Sequence, residues 1–239
     1  MSDDTLHPPL ARRSFLSRFG AGAAAFGAVV GAGELATSAQ TPAPAGAPWQ
    51  PVRHAEDDWL DQPAAKHRFF LDTASVNALG HAIFWANNYF SASRSAAYGL
   101  ADTDSALVIC VRHESTPFAF NDAMWVKYGE ALAEHALFTD PKTRQTPIVN
   151  VFQTDGYNTL LNNRGVTFDA LIKRGLRIAV CSLATRGIAA AAARKSGAKV
   201  DDVVKELTDN RIGNTHMVPA GIVAVNRAQE RGYSVSSVI

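Results

Sequence analysis

The sequence predicts an α/β domain: a five-stranded, mainly parallel, doubly wound sheet with helices on both faces. Three features point there. Short apolar runs rich in β-branched residues recur, as at 106–111 and 176–181, and such runs suit strands covered on both sides. Longer stretches with apolar residues at helical spacing separate them. Hydrophobic residues make up 47% of the 239 and charged residues 19%, a composition that supplies a real core.

Taken in order, residues 67–73 read as the first strand and 80–97 as a helix. The second strand is 106–111. A helix follows at 121–137, with Asn121 or Asp122 as a natural N-cap. Residues 138–166 break the rhythm. Pro141, Pro147, Gly156 and Gly165 punctuate a polar insert holding one short apolar piece, 148–152, and a loop this long is usually functional or part of an interface. Residues 167–174 form a short helix stopped by Gly175. Then come strand 176–181, helices 187–195 and 200–207, strand 216–220, helix 221–231 and strand 233–238.

Ahead of this domain, Arg12-Arg13-Ser14-Phe15-Leu16 precedes a mild, Ala- and Gly-rich apolar stretch at 19–30. A spanning helix needs about 20 strongly apolar residues. The pattern instead reads as a twin-arginine export signal over 1–39, cut near Thr37-Ser38-Ala39, with a periplasmic or otherwise exported product and no stable membrane anchor. Residues 40–66, rich in Pro and Ala at their start, read as a linker and N-terminal extension, which places the domain at 67–239.

Several functions are set aside. Net charge is +1, from 23 basic and 22 acidic residues, and no basic run is interleaved with aromatics, so nucleic acid is not expected. No Gly-x-Gly-x-x-Gly follows the first strand, and no Walker loop or Gly-x-Ser-x-Gly elbow occurs. No cofactor is specified by these residues.

Open parallel sheets bind ligands beyond the carboxyl ends of their strands. That rule selects Asp72-Thr73-Ala74-Ser75, Arg112-His113-Glu114-Ser115, the stretch from Cys181 to Gly187, and Pro219-Ala220-Gly221. Cys181 closes a strand and opens a helix, where unpaired helix N–H groups and Arg186 are expected to stabilise a thiolate. Such a thiolate carries sulfur as a persulfide or is oxidised reversibly; the alternative is a buried thiol that fills space. Cys110, inside an apolar run, reads as core, and the spacing leaves open whether the two cysteines bridge. His113 is a weaker acid–base candidate. Neighbouring residues of an extended chain point apart, so His113 and Glu114 do not readily share a metal, and Arg112-His113-Glu114 reads rather as structural or salt-bridging. Phe118, Phe120, Met124 and Trp125 read as helix-face packing or a subunit contact.

Three segments together resemble the DsrE/DsrF-like (YchN-like) family: Leu176-Arg-Ile-Ala-Val-Cys181 followed by Ala184-Thr-Arg-Gly187, Met217-Val-Pro-Ala-Gly-Ile-Val223, and Gln229-Glu-Arg-Gly-Tyr233 before a last strand. The resemblance spans residues 67–239. It implies a five-stranded doubly wound domain, assembly into homo-oligomers (trimers or hexamers), and a cysteine, here Cys181, that passes persulfide sulfur to a partner protein. Relay members are usually cytoplasmic, so the export signal departs from them, as do the insert and the Arg112-His113-Glu114 stretch. The competing expectation is a non-catalytic module of the same fold that binds a small ligand or metal, or a structural oligomer.

Overall fold

The computed structural model describes residues 49–239; the export signal expected over 1–39 and the first part of the expected linker lie outside them. Five strands, β1 (His67–Thr73), β2 (Ser105–Val111), β3 (Arg177–Cys181), β4 (Thr215–Val218) and β5 (Ser234–Val238), form one sheet in the order β4-β3-β2-β1-β5. Every pairing is parallel. β2 sits at the centre and all seven of its residues are buried, which is why that run shows no apolar–polar alternation. β5 is an edge strand, and its Ser-Val-Ser-Ser-Val sequence is correspondingly polar.

The helices are α1 (Val76–Ser93), α2 (Asp122–Ala136), α3 (Phe168–Ile172), α4 (Ser182–Ser196), α5 (Val200–Asp209) and α6 (Gly221–Glu230). The chain steps from β1 to β4 in one direction across the sheet. Right-handed crossovers therefore put the first three connections on one face. There α1, α2 and α4 enclose the larger core, around Leu107, Ile109, Val111, Ile178 and Val180. To reach β5, beside β1, the chain must cross back over the opposite face. α6 makes that return, packing on Phe70, Val108 and Ala179 through Ala224 and Ala228.

The remainder of that second face is covered by the segment before β1. Residues Ala55–Leu60 form a 3-10 helix, and Leu60 is fully buried with Phe70 and Tyr233. The 40–66 extension is thus partly built into the domain, and Tyr233 Oη donates to the Leu60 carbonyl at 2.7 Å. Periodicity could not reveal this strap, because a single short 3-10 helix is too brief to show a repeating apolar pattern.

Element ends differ from expectation for local reasons. α1 starts at Val76 because Ser75 Oγ accepts from the Ala78 amide, and it stops at Ser93, before the turn through Gly99 (φ 60°). Asn121 caps α2. α4 begins directly after Cys181 rather than at Gly187, which lies inside it with open space where a Cβ would stand. The apolar piece 148–152 is not a strand. Asn150, fully buried, instead donates to the Phe118 and Phe120 carbonyls at 2.8 and 2.9 Å, and Phe152 packs edge-on to Phe118. Phe118, Phe120 and Trp125 are fully buried, so they are core.

Candidate functional site

Register decides which strand-end residues meet. Asp72 pairs with Cys110 and Cys110 with Ala179. Since alternate residues share a face, one step past the last β2–β3 pair, Val111–Val180, sets Arg112 beside Cys181. Asp72, Cys110, Arg112 and Cys181 thus share the face covered by the first turn of α6.

Arg112 forms a bidentate ion pair with Asp72, Nε to Oδ1 at 2.7 Å and Nη2 to Oδ2 at 2.9 Å. Asp72 is buried, whereas the Arg112 side chain keeps 30% of its surface. Hydrogen bonding to this carboxylate raises the Arg112 pKa further above its already high value, so the guanidinium stays charged. Gly221 makes the arrangement possible. A Cβ there would stand 2.6 Å from Arg112 Cβ and 2.9 Å from Arg112 Cδ, so only glycine lets α6 start directly over the arginine.

The turn after Arg112 is pinned from beneath. Ser115, fully buried, accepts from the Arg112 amide at 3.0 Å and lies 3.0 Å from the Thr73 hydroxyl. Thr73 Oγ1 in turn donates to the Cys110 carbonyl at 2.7 Å. His113 takes a left-handed backbone conformation, φ 55°, a strained state for a side-chain-bearing residue that tertiary contacts must hold. One such contact comes from α2: His135 Nε2 donates to the His113 carbonyl at 3.1 Å, and the two rings meet edge-on at 6.5 Å. Burial lowers the His135 pKa, which keeps that imidazole neutral near pH 7.

These groups surround an open cleft of about 400 Å³ between the first turns of α4 and α6, lined by Arg112, His113, His135, Cys181, Gly187 and Gly221 among others. Cys181 is 7% exposed at its floor and serves as the N-cap residue of α4. Cys110 lies deeper, fully buried under Gly221, with Sγ 3.8 Å from the Gly221 carbonyl oxygen. Burial, with the nearby Asp72 charge, pushes its thiol pKa well up. Both cysteines are free.

The structure thus brings Cys181, His113 and the Ala220-Gly221 turn together with Arg112 at the cleft and leaves Arg186 outside its lining. Arg186 points to Asp201, at 3.1 Å, with both side chains exposed. At about 100° per residue, Leu183, Ala184 and Gly187 share one side of α4 and Arg186 falls roughly a quarter-turn away. The cation beside Cys181 is Arg112. Its partner Asp72 and the contribution of His135 from α2 could not be seen in one dimension, although two strand ends carrying Asp and Arg on adjacent strands were a usable signal. His216 is elsewhere, stacked on Trp59 at 4.7 Å. Among the described residues, no three His, Cys, Asp or Glu side chains stand together as metal ligands, and no helix is long and apolar enough to cross a membrane.

The fold and cleft define an α/β protein with a thiol at a strand-to-helix junction. Comparison of the chain with protein-family models, with curated proteins and with solved structures gives no match.

Proposed function

We propose that this protein handles sulfane sulfur through Cys181, as an exported DsrE-like protein acting in a homo-oligomer and passing sulfur to a partner protein. One observation carries the reading: Cys181 caps α4 on the floor of a cleft that also presents Arg112, His113 and His135. A helix N-terminus and a neighbouring guanidinium suit the anionic sulfur species that such a transfer delivers and releases. The twin-arginine motif supports export, and the resemblance of the segments around Cys181, Gly221 and Tyr233 supports the relay and the trimeric or hexameric assembly.

The chemistry balances without an added oxidant. Cys181, having released its proton, attacks the outer sulfur of a persulfide R–S–SH. The new S–S bond forms as the old one breaks, leaving Cys181–S–SH and R–S⁻. An acceptor thiolate then takes the outer sulfur and restores the Cys181 thiolate. Intact-mass spectrometry after exposure to a persulfide donor tests this. The expected result is a gain of one sulfur atom that reduction reverses and Cys181→Ser abolishes while the protein still folds. An unchanged mass, with Cys181 alkylated as slowly as Cys110, would sink the proposal.

A further inference from the structure

The ion pair leaves part of Arg112 unused. Asp72 engages Nε and Nη2, and Nη1 has no hydrogen-bond partner among the described residues. That free edge belongs to a side chain lining the cleft, and its position is fixed by a buried carboxylate on one side and Gly221 on the other. Two more donor groups converge there. α4, of 15 residues, and α6, of 10, both open onto the cleft, and neither first turn is capped by a side chain. Cys181, more than nine-tenths buried and without a hydrogen-bond partner for its thiol among the described residues, points into the same space. The opposing charge on this turn, Glu114, lies near His135 but does not line the cleft.

We infer that the cleft is an anion seat, in which the free edge of Arg112 and the open first turns of α4 and α6 hold the anionic head of a sulfane-sulfur donor of the thiosulfate class against Cys181. Oxyanions suit a fixed guanidinium fork and unpaired helix N–H groups. The identification of the donor rests on the sulfur-handling reading; the seat itself rests on the geometry. In the step, the Cys181 thiolate forms a bond to the outer sulfur of thiosulfate. The bond to the sulfonate sulfur breaks, and its electron pair leaves with sulfite. Cys181–S–S⁻ remains, so atoms and charge balance.

The test compares alkylation of Cys181 in the whole protein by anionic iodoacetate and neutral iodoacetamide, read by mass spectrometry of the Cys181 peptide. The iodoacetate-to-iodoacetamide rate ratio is expected to fall about tenfold or more in Arg112→Met, the loss that follows removal of one charge-assisted hydrogen bond. Sulfite is expected to protect Cys181 in the parent and not in the variant. Because Arg112→Met alone strands a buried Asp72, the double variant Asp72→Asn/Arg112→Met is measured beside it, and folding is checked by circular dichroism. An unchanged ratio in the folded variants, or no protection by sulfite, overturns the seat. Anion preference without any sulfur gain would leave the seat standing and remove the sulfur chemistry, whereas equal sulfur transfer from neutral and anionic donors would do the reverse.

Discussion

Two thiols on one face of one sheet have opposite fates because a single turn of helix covers one and borders the other. Cys110 lies under Gly221 with its pKa pushed up by burial and by Asp72, so it stays protonated and inert. Cys181, two residues further along the neighbouring strand than the partner of Cys110, reaches the cleft. Native labelling should therefore modify Cys181 alone, with Cys110 reacting only after denaturant is added; equal rates would refute the assignment. The Cys110 shift also makes a statement about stability. In the unfolded chain its thiol ionises near pH 8.5, while in the folded protein it holds its proton to higher pH. Its contribution is therefore complete below the unfolded value and is lost as pH rises beyond it. Urea midpoints measured from pH 7 to 10 should fall on the alkaline side, and Cys110→Ala should flatten that limb while costing about 1 kcal/mol at neutral pH.

At the level of elements, the site exists because α6 starts where it does. The Ala-Gly turn after β4 brings a helix N-terminus directly onto Arg112. Gly221→Ala would drive a methyl group to 2.6 Å from Arg112 Cβ, an atom near the backbone that cannot swing aside. The substitution should destabilise the protein by about 1–3 kcal/mol, as overpacking does, and should lower the anion preference of Cys181 in the same step. Thermal denaturation checks the first effect; a variant as stable as the parent would show that α6 can shift freely. Gly187 is the contrasting case. It stands in open space inside α4, so Gly187→Ala should leave folding intact, or stabilise α4 by several tenths of a kcal/mol through helix propensity, while narrowing the approach to Cys181.

For the molecule as a whole, the asymmetry of the two faces matters most. Three connections cover one face, but a single crossing helix covers the other, and the strap before β1 completes it. Arg231, with a side chain only 2% exposed, reaches Asp58 at 3.3 Å, Asp61 at 3.6 Å and Asp57 at 3.9 Å, and donates to the His54 carbonyl at 3.0 Å. Removing residues 50–61 would uncover Leu60's site on Phe70 and leave this buried guanidinium without its acidic partners. Each loss is worth about 2–5 kcal/mol, comparable with the whole stability of a typical domain. A chain lacking the strap should lose cooperative unfolding, whereas Tyr233→Phe, which gives up two hydrogen bonds, to the Leu60 carbonyl and from Gln62 Nε2, should cost only about 1–3 kcal/mol. Cooperative, near-parental unfolding of the truncated chain would contradict this account.

The residues Gln229-Glu-Arg-Gly-Tyr233 were legible as a segment, and their purpose was not: Arg231 and Tyr233 close onto a strap some 170 residues away in sequence. The same division runs through the molecule. Strand and helix identity, the parallel sheet and the placing of Cys181 at a strand's end follow from period and composition, because each depends on residues close together in the chain. Which arginine stands beside that thiol, which carboxylate holds it, and which cysteine is sealed depend on register between strands and on where a returning helix touches down. Those are distances across the sheet, and only the folded chain sets them.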